Sequence, residues 1–183
     1  MTQPAAIDPA GQAPSEPDAR PDARLARVVL EGETLTRLSP VLEADRAQAV
    51  ADLESENRFA PSGPKAVSAG ATWHGPYALH LSIQEGRLVF DIRHDDGTPM
   101  TAILLALGPF RSLIKDYQLL VDSHIMAVEE GREARIQAID MGRRGLHNEG
   151  AELMTQRLDG KIEMDFETAR RLFTLVCVLH QRI

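Results

Sequence analysis

One cysteine in 183 residues is scarce enough to close several questions before any motif is read. A lone Cys177 cannot form an internal disulfide or supply a paired-cysteine zinc site, and it points to a reducing compartment. Long apolar runs are missing too. Stretches such as Leu175 to Leu179 fall far short of the roughly 20 residues a membrane-spanning helix needs. The opening MTQPAAIDPAGQAPSEPDARPDAR has neither a basic start nor an apolar run, so no secretion signal or membrane anchor is expected. A cytoplasmic location is the expectation. Basic charge is scarce as well: the net charge of −7 divides into −2 over residues 1–24, −6 over 25–131 and +1 over 132–183. No segment could hold a nucleic-acid backbone broadly, so neither nucleic acid nor membrane is expected as a partner. Only the last third leaves room for a small, local anion site.

What is present suits a folded unit. At 43% hydrophobic and 26% charged, residues 24–183 read as a single α+β domain behind a flexible, Pro/Ala/Asp-rich tail at 1–23. LARVVLEG at Leu25–Gly32 is a strand candidate. Ser39-Pro40 starts a helix running to Asn57, with Leu42, Ala49, Val50 and Leu53 available for its apolar stripe. Arg58 to Thr72 reads as a Pro/Gly/Ser loop. YALHLSIQ and RLVFDIR alternate apolar and polar residues around Glu85-Gly86. Closing that turn sets Ile83 opposite Leu88, Leu81 opposite Phe90 and Leu79 opposite Ile92. A second turn at Asp96-Gly97 sets Phe90 beside Ile103 and Leu88 beside Leu105. Both turns preserve one apolar face, which a one-residue slip would destroy.

A helix follows Gly108-Pro109, with Phe110, Leu113, Ile114, Tyr117, Leu120, Val121, Ile125 and Val128 at helical spacing. Another begins near Arg132 and uses Ile136, Ile139, Leu146 and Leu153. Asp159-Gly160 is a turn, KIEM a short extended piece, and Asp165 caps a final helix. The expected architecture is an antiparallel meander of three to four strands, packed on one face by about four helices.

GPYALHLSIQEGRLVFDI, GPFRSLIKDY, IDMGRRGLHNEG and DFETARRLFTLVCVLH together resemble a bacterial family known under the provisional label uncharacterised protein family 0262. The likeness covers roughly residues 25 to 183, and the block around MGRRGLHNEG is its most specific part. It implies a small cytosolic bacterial protein, and supplies neither a mechanism nor a functional residue.

MGRRGLHNEG, Met141 to Gly150, is the stretch richest in chemistry. Arg143 and His147, Arg144 and Asn148, and Asp140 and Arg144 are each four apart on a helix and can meet. Glycine inside a helix costs about 1 kcal/mol relative to alanine, so Gly142, Gly145 and Gly150 together cost roughly 3 kcal/mol. Something should offset that: close approach of another backbone, or a break that exposes N–H groups. The functional reading is a pocket for a small anionic ligand. Arg143 and Arg144 would be its planar donors, His147 and Asn148 neutral hydrogen-bonders, and Glu149 an acceptor or base. The bland reading is a packed connection whose arginines pair with Asp140, Glu149 or acids elsewhere. Were a reaction catalysed, Glu149 or His147 would be the base. No nucleophile is identified, neither GxxxxGK[ST] nor GxGxxG occurs, and no cofactor is expected, so the reading leans to binding over catalysis. A different class of function is also open. The glycine strip and the apolar C-terminal helix could form a homodimer or partner interface.

Other candidates carry less. His147 with Glu149, and Cys177 with His180, lack the spacing of a zinc site, and no metal is expected. Cys177 sits in LVCVL and reads as a core thiol. His80 falls opposite Asp91, with Arg93 nearby: a cross-strand pair, or one wall of a groove if that face is covered. Trp73, in WHGPY, is either a ligand platform or a cap on the end of the sheet. RHDDG is a turn, not a calcium loop.

Overall fold

A computed structural model describes residues 22–32, 35, 37–63 and 73–180. Residues 1–21 of the expected tail and 64–72 of the expected loop lie outside the described residues.

Strands β3 (Tyr77–Gln84), β4 (Arg87–His94) and β5 (Pro99–Ala106) form the meander. All five expected pairs are present, from Ile83 opposite Leu88 to Phe90 opposite Ile103. Glu85 (φ 49°) and Gly86 (φ 73°) both take the left-handed conformation that a twist-matched two-residue hairpin turn requires. Strand β1 (Leu25–Glu31) lies on the far side of β3, giving the order β1-β3-β4-β5. It runs parallel to β3, so the sheet is mixed rather than purely antiparallel. Helix α1 (Pro40–Ser55) lies between the two strands in sequence, and a crossover through a helix returns the chain in the same direction.

The α1 helix begins as expected, with Ser39 Oγ accepting from the Leu42 amide at 3.4 Å. Its far end covers the outer edge of β1: Asn57 Oδ1 accepts from the Leu25 amide (2.7 Å) and Glu54 Oε1 from the Val28 amide (2.9 Å). Those bonds satisfy backbone donors that an edge strand would otherwise leave open. The segment read as loop from Arg58 instead supplies β2 (Phe59–Pro61), which pairs antiparallel with β6 (Ile162–Met164). Nothing local announces a pairing across so many residues.

Three further helices complete the fold: α2 (Arg111–Glu129), α3 (Glu133–Leu158) and α4 (Phe166–Leu179). Asp165 caps α4, accepting from the Thr168 amide at 2.7 Å. The apolar sheet face, with Leu79, Leu81, Leu88, Phe90 and Ile92 fully buried, joins one core with Phe110, Tyr117 and residues of α4. From Leu172 to Leu179 every residue of α4 is buried, as befits a helix apolar on all sides. Residues 172–179 of the C-terminal helix therefore have no exposed surface to offer a partner, while Phe166 and Glu167 at its start are exposed. Among the described residues no helix is long and apolar enough to cross a membrane.

Candidate ligand-binding site

Helix α3 runs unbroken through MGRRGLHNEG. Its phase is fixed by Ile139, Leu146, Gly150, Ala151, Met154 and Leu158, which are buried. Arg143 and His147, one turn apart, fall at the margin of that buried face and are partly enclosed. Arg144, Asn148 and Glu149 fall on the exposed side. The five residues read as one pocket therefore divide between two faces of the helix. Arg144 does not meet Asp140, which instead has His124 Nε2 at 3.9 Å.

The glycines divide too. A Cβ on Gly150 would lie 2.3 Å from ring carbons of Phe173 on α4, so what approaches closely there is an aromatic side chain and not the expected backbone. A Cβ on Gly142 would make ordinary contact with Leu120 at 3.7 Å, and one on Gly145 would meet nothing.

Inward, Arg143 Nη2 donates to Asp45 Oδ2 of α1 at 2.5 Å, with side chains only 15% and 20% exposed. The Tyr117 hydroxyl of α2 donates to the same oxygen, also at 2.5 Å. The His147 ring stacks on Tyr117 (centroids 5.6 Å apart) and meets Phe173 edge-on at 6.3 Å. Four helices thus hold one ionic and aromatic cluster: Asp45, Tyr117, Arg143, His147 and Phe173. Burial, then the Asp45 charge and its hydrogen bond, push the Tyr117 phenol well above its usual range. Burial opposes the Arg143 cation, but the charge and hydrogen bond of Asp45 raise its pKa overall. His147 drops to about 4, chiefly by burial and then by the cations Arg143 and Arg170, so its imidazole is neutral near pH 7.

A cavity of about 260 Å³ opens beside this cluster between α1, α3 and α4. Its walls include Asp45, Gln48, His147, Arg170, Arg171 and Thr174. Two of these residues carry buried nitrogens without a partner among the described residues, His147 Nε2 and Arg170 Nε, and Arg143 Nε, outside the lining, is a third. The acids around the cavity are engaged. Asp45 holds Arg143 and Tyr117, Asp52 accepts from Gln48 at 2.7 Å, and Glu167 lies 3.2 Å from Arg170. A larger cavity of about 660 Å³ lies over Ile83, Ile114 and Leu179, flanked by Arg111, Lys115 and His180. None of the buried unpartnered side-chain atoms among the described residues lines it.

The secondary candidates lie elsewhere. His80 faces Asp91 across the β3–β4 pair, yet its Nδ1 is 2.7 Å from Glu31 Oε1. Asp91 accepts instead from Arg93, at 2.9 and 2.6 Å. Trp73 is half-buried and lines a third cavity along β5 with Pro61, Ser62 and Lys161. Cys177 is fully buried, and burial followed by the Asp45 charge raises its thiol pKa well above the ordinary value. That is an inert thiol, as its apolar surroundings implied. Among the described residues no group of three or more His, Cys, Asp or Glu is placed to hold a metal ion.

Sequence reasoning missed Asp45, Tyr117 and Arg170. Asp45 carried a readable signal, since it stands three residues after Leu42 and four before Ala49 along the buried stripe of α1, where an unpaired acid would be costly. Tyr117 was visible only as a member of the apolar stripe of α2.

His147 supplies a pH-dependent prediction. Its folded pKa lies below the unfolded value of about 6.5, so its contribution is complete above pH 6.5 and drains away as pH falls toward 4. Between pH 7 and 5 the unfolding free energy should therefore fall by about 2 kcal/mol more in the wild type than in His147→Gln. Urea titrations at both pH values measure the difference, and equal losses would show that the imidazole is not held neutral by burial.

Fold and site together define a mixed-sheet α+β protein whose helices enclose a buried ionic cluster beside a small polar cavity. The chain belongs to the uncharacterised protein family UPF0262, whose family model matches residues 22–182. A UPF0262 protein of Granulibacter bethesdensis is 68% identical over 174 residues, covering 95% of this chain and 99% of that protein. One from Acidiphilium cryptum is 60% identical, covering 87% and 93%. Another, from Paramagnetospirillum magneticum, is 47% identical, covering 87% and 96%. No solved structure matches the chain.

Proposed function

We propose that this protein binds a small anionic ligand, of carboxylate or phosphate size, in the cavity between α1, α3 and α4. The observation that carries this reading is that two residues lining the cavity, His147 and Arg170, each hold a buried nitrogen with no hydrogen-bond partner among the described residues. An arginine Nε–H can only donate, and leaving a buried donor unpaired costs about 1–3 kcal/mol, so the occupant should bring oxygen acceptors. Arg170 would supply charge, and neutral His147 a hydrogen bond without adding a second desolvated cation. Arg143 takes a positioning role behind His147, fixed by Asp45 and Tyr117, while Arg144, Asn148 and Glu149 take no part. Among the described residues that line the cavity none is an activated nucleophile, and the proposed role is binding, in the cytoplasm.

A thermal-shift titration with inorganic phosphate, pyrophosphate, malonate and succinate tests this. A bound anion at 100 times its Kd should add about 2.7 kcal/mol to the unfolding free energy. Arg170→Ala and His147→Phe should abolish the gain, and Arg144→Ala should leave it unchanged. Absence of any shift, or full binding by both pocket variants, would refute the assignment.

A further inference from the structure

The two edges of the sheet end differently. The outer edge of β1 is closed by Asn57 and Glu54, whereas β5, last in the order β1-β3-β4-β5, pairs with β4 alone. We propose that the free edge of β5 is a docking groove for an extended segment of another protein, apolar and carrying an acidic side chain, which adds to the sheet as a fifth strand.

The β3–β4 hairpin fixes which backbone groups are on offer. Gln84 and Arg87 flank a two-residue turn, so they form a hydrogen-bonded pair, and the bonding direction alternates from there along β4. Arg87, Val89 and Asp91 turn their N–H and C=O groups to β3, while Leu88, Phe90 and Ile92 turn theirs to β5. The partners of the latter, Leu105, Ile103 and Thr101, therefore face β4, and the amides and carbonyls of Ala102 and Leu104 face outward. The Leu107 amide keeps the same phase, donating to the Gly86 carbonyl at 3.4 Å. Among the described residues nothing bonds to the outward groups of Ala102 and Leu104. Charges, proline or a bulge commonly protect such an edge. PMTAILLA has no charged residue, and Pro99 with its register shift affects only the start of the strand.

A cavity of about 430 Å³ runs along this edge. It is lined by Thr101, Ala102, Ile103 and Leu104, consecutive residues whose side chains alternate between faces, so the surface they share is the edge itself. Four strand residues span roughly 13 Å, enough for a short extended segment. Half-buried Trp73 lines the same cavity and offers the kind of aromatic anchor that dominates binding energy. Ser62 lines it too, and its Oγ is buried with no hydrogen-bond partner among the described residues. Lys161, exposed and without an ion pair among the described residues, is the one charged group of the described lining.

These features name the occupant. Outward N–H and C=O groups two residues apart match an extended backbone, as in strand addition, and neither a helix nor a small ion would satisfy them. A second copy offering its own β5 would bring no acid to Lys161, because that strand has none. Charge complementarity thus calls for a different chain that carries one. The anion cavity between α1, α3 and α4 shares no lining residue with this groove.

A phage-displayed library of random dodecapeptides, panned on the full chain, supplies the probe. Recovered peptides should be rich in apolar residues and contain Asp or Glu. The amides of Ala102 and Leu104 should exchange rapidly in the free chain and slowly once a synthetic copy of a recovered peptide is bound. Trp73→Ala and Lys161→Glu should each weaken that peptide at least tenfold. Ala102→Pro should abolish binding in a chain still folded by circular dichroism, since the N–H it removes faces outward. N-methylation of one alternating set of peptide residues should also weaken binding at least tenfold, and of the other set should not, a test that stands even where Ala102→Pro does not fold. The proposal is overturned by recovery of no peptide that depends on Trp73 and Lys161, by equal effects of the two N-methyl sets, or by slow exchange of both amides in the free chain. A wild-type dimer dissolved by Ala102→Pro would overturn it as well, by giving the edge to a second copy.

Discussion

Asp45→Ala should cost about 3 kcal/mol of unfolding free energy, one of the two largest losses expected of any single change at the site. Truncating one partner of an enclosed ion pair leaves the other as an uncompensated charge, typically at a cost of about 3–5 kcal/mol. The side chains of Arg143 and Asp45 keep 15% and 20% exposure, which places the effect at the lower end. The Tyr117 hydroxyl loses its acceptor in the same step. Asp45→Asn keeps an oxygen for Tyr117 but removes the charge, so its cost should be intermediate, near about 2 kcal/mol. Asp45→Ala combined with Arg143→Met should recover much of the loss, because an apolar pair in place of a buried ionic one is often neutral. Urea denaturation of the wild type, Asp45→Ala, Arg143→Met and the double variant closes the cycle. If the double variant loses the sum of the single losses, the two groups do not act as a pair.

Gly150→Val is the other large effect. A Cβ at this position would lie 2.3 Å from Phe173 carbons, and the ring cannot retreat because Phe173 is fully buried. Helices α3 and α4 would have to separate, and overpacking of this kind costs about 1–3 kcal/mol, more where backbone must move. We expect at least about 3 kcal/mol for valine. Alanine should cost about 2 kcal/mol, after subtracting the roughly 1 kcal/mol that alanine gains over glycine in a helix. Gly145→Ala should have the opposite sign, gaining up to about 1 kcal/mol, since its Cβ meets nothing. Two glycines five residues apart on one helix thus answer to different constraints. Equal responses at the two positions would mean that the α3–α4 contact does not need a glycine.

The meander was legible because two tight turns fixed the register and the alternation fixed the face. Pairs such as Leu81–Phe90 and Leu88–Leu105 follow from counting outward from Glu85-Gly86 and Asp96-Gly97. The direction of β1 was not legible, because parallel pairing depends on the path of the α1 crossover and leaves no local mark. β2 was hidden for a related reason: its three residues end in Pro61 and find β6 a hundred positions away. At the site, the Arg143–His147 relation followed from a spacing of four, while Asp45, 98 positions from Arg143, could not be paired to it. Arg144, Asn148 and Glu149 are indistinguishable from them in the sequence because the apolar pattern leaves the phase of α3 obscure. Its buried positions include Gly150 and Ala151, which contribute almost nothing to an apolar pattern. The polar residues of MGRRGLHNEG therefore looked equivalent, when the helix turns them to different surroundings.

The most direct test of the binding assignment is the ¹⁵N spectrum of the His147 ring, followed while pyrophosphate is added at pH 7. A neutral imidazole is expected throughout, with Nε2 shifting saturably as it gains a hydrogen-bond partner, and with no shift in the Arg170→Ala variant. An Nε2 resonance that stays fixed at saturating anion, while the protein's melting temperature rises, would place the ligand elsewhere and contradict the account.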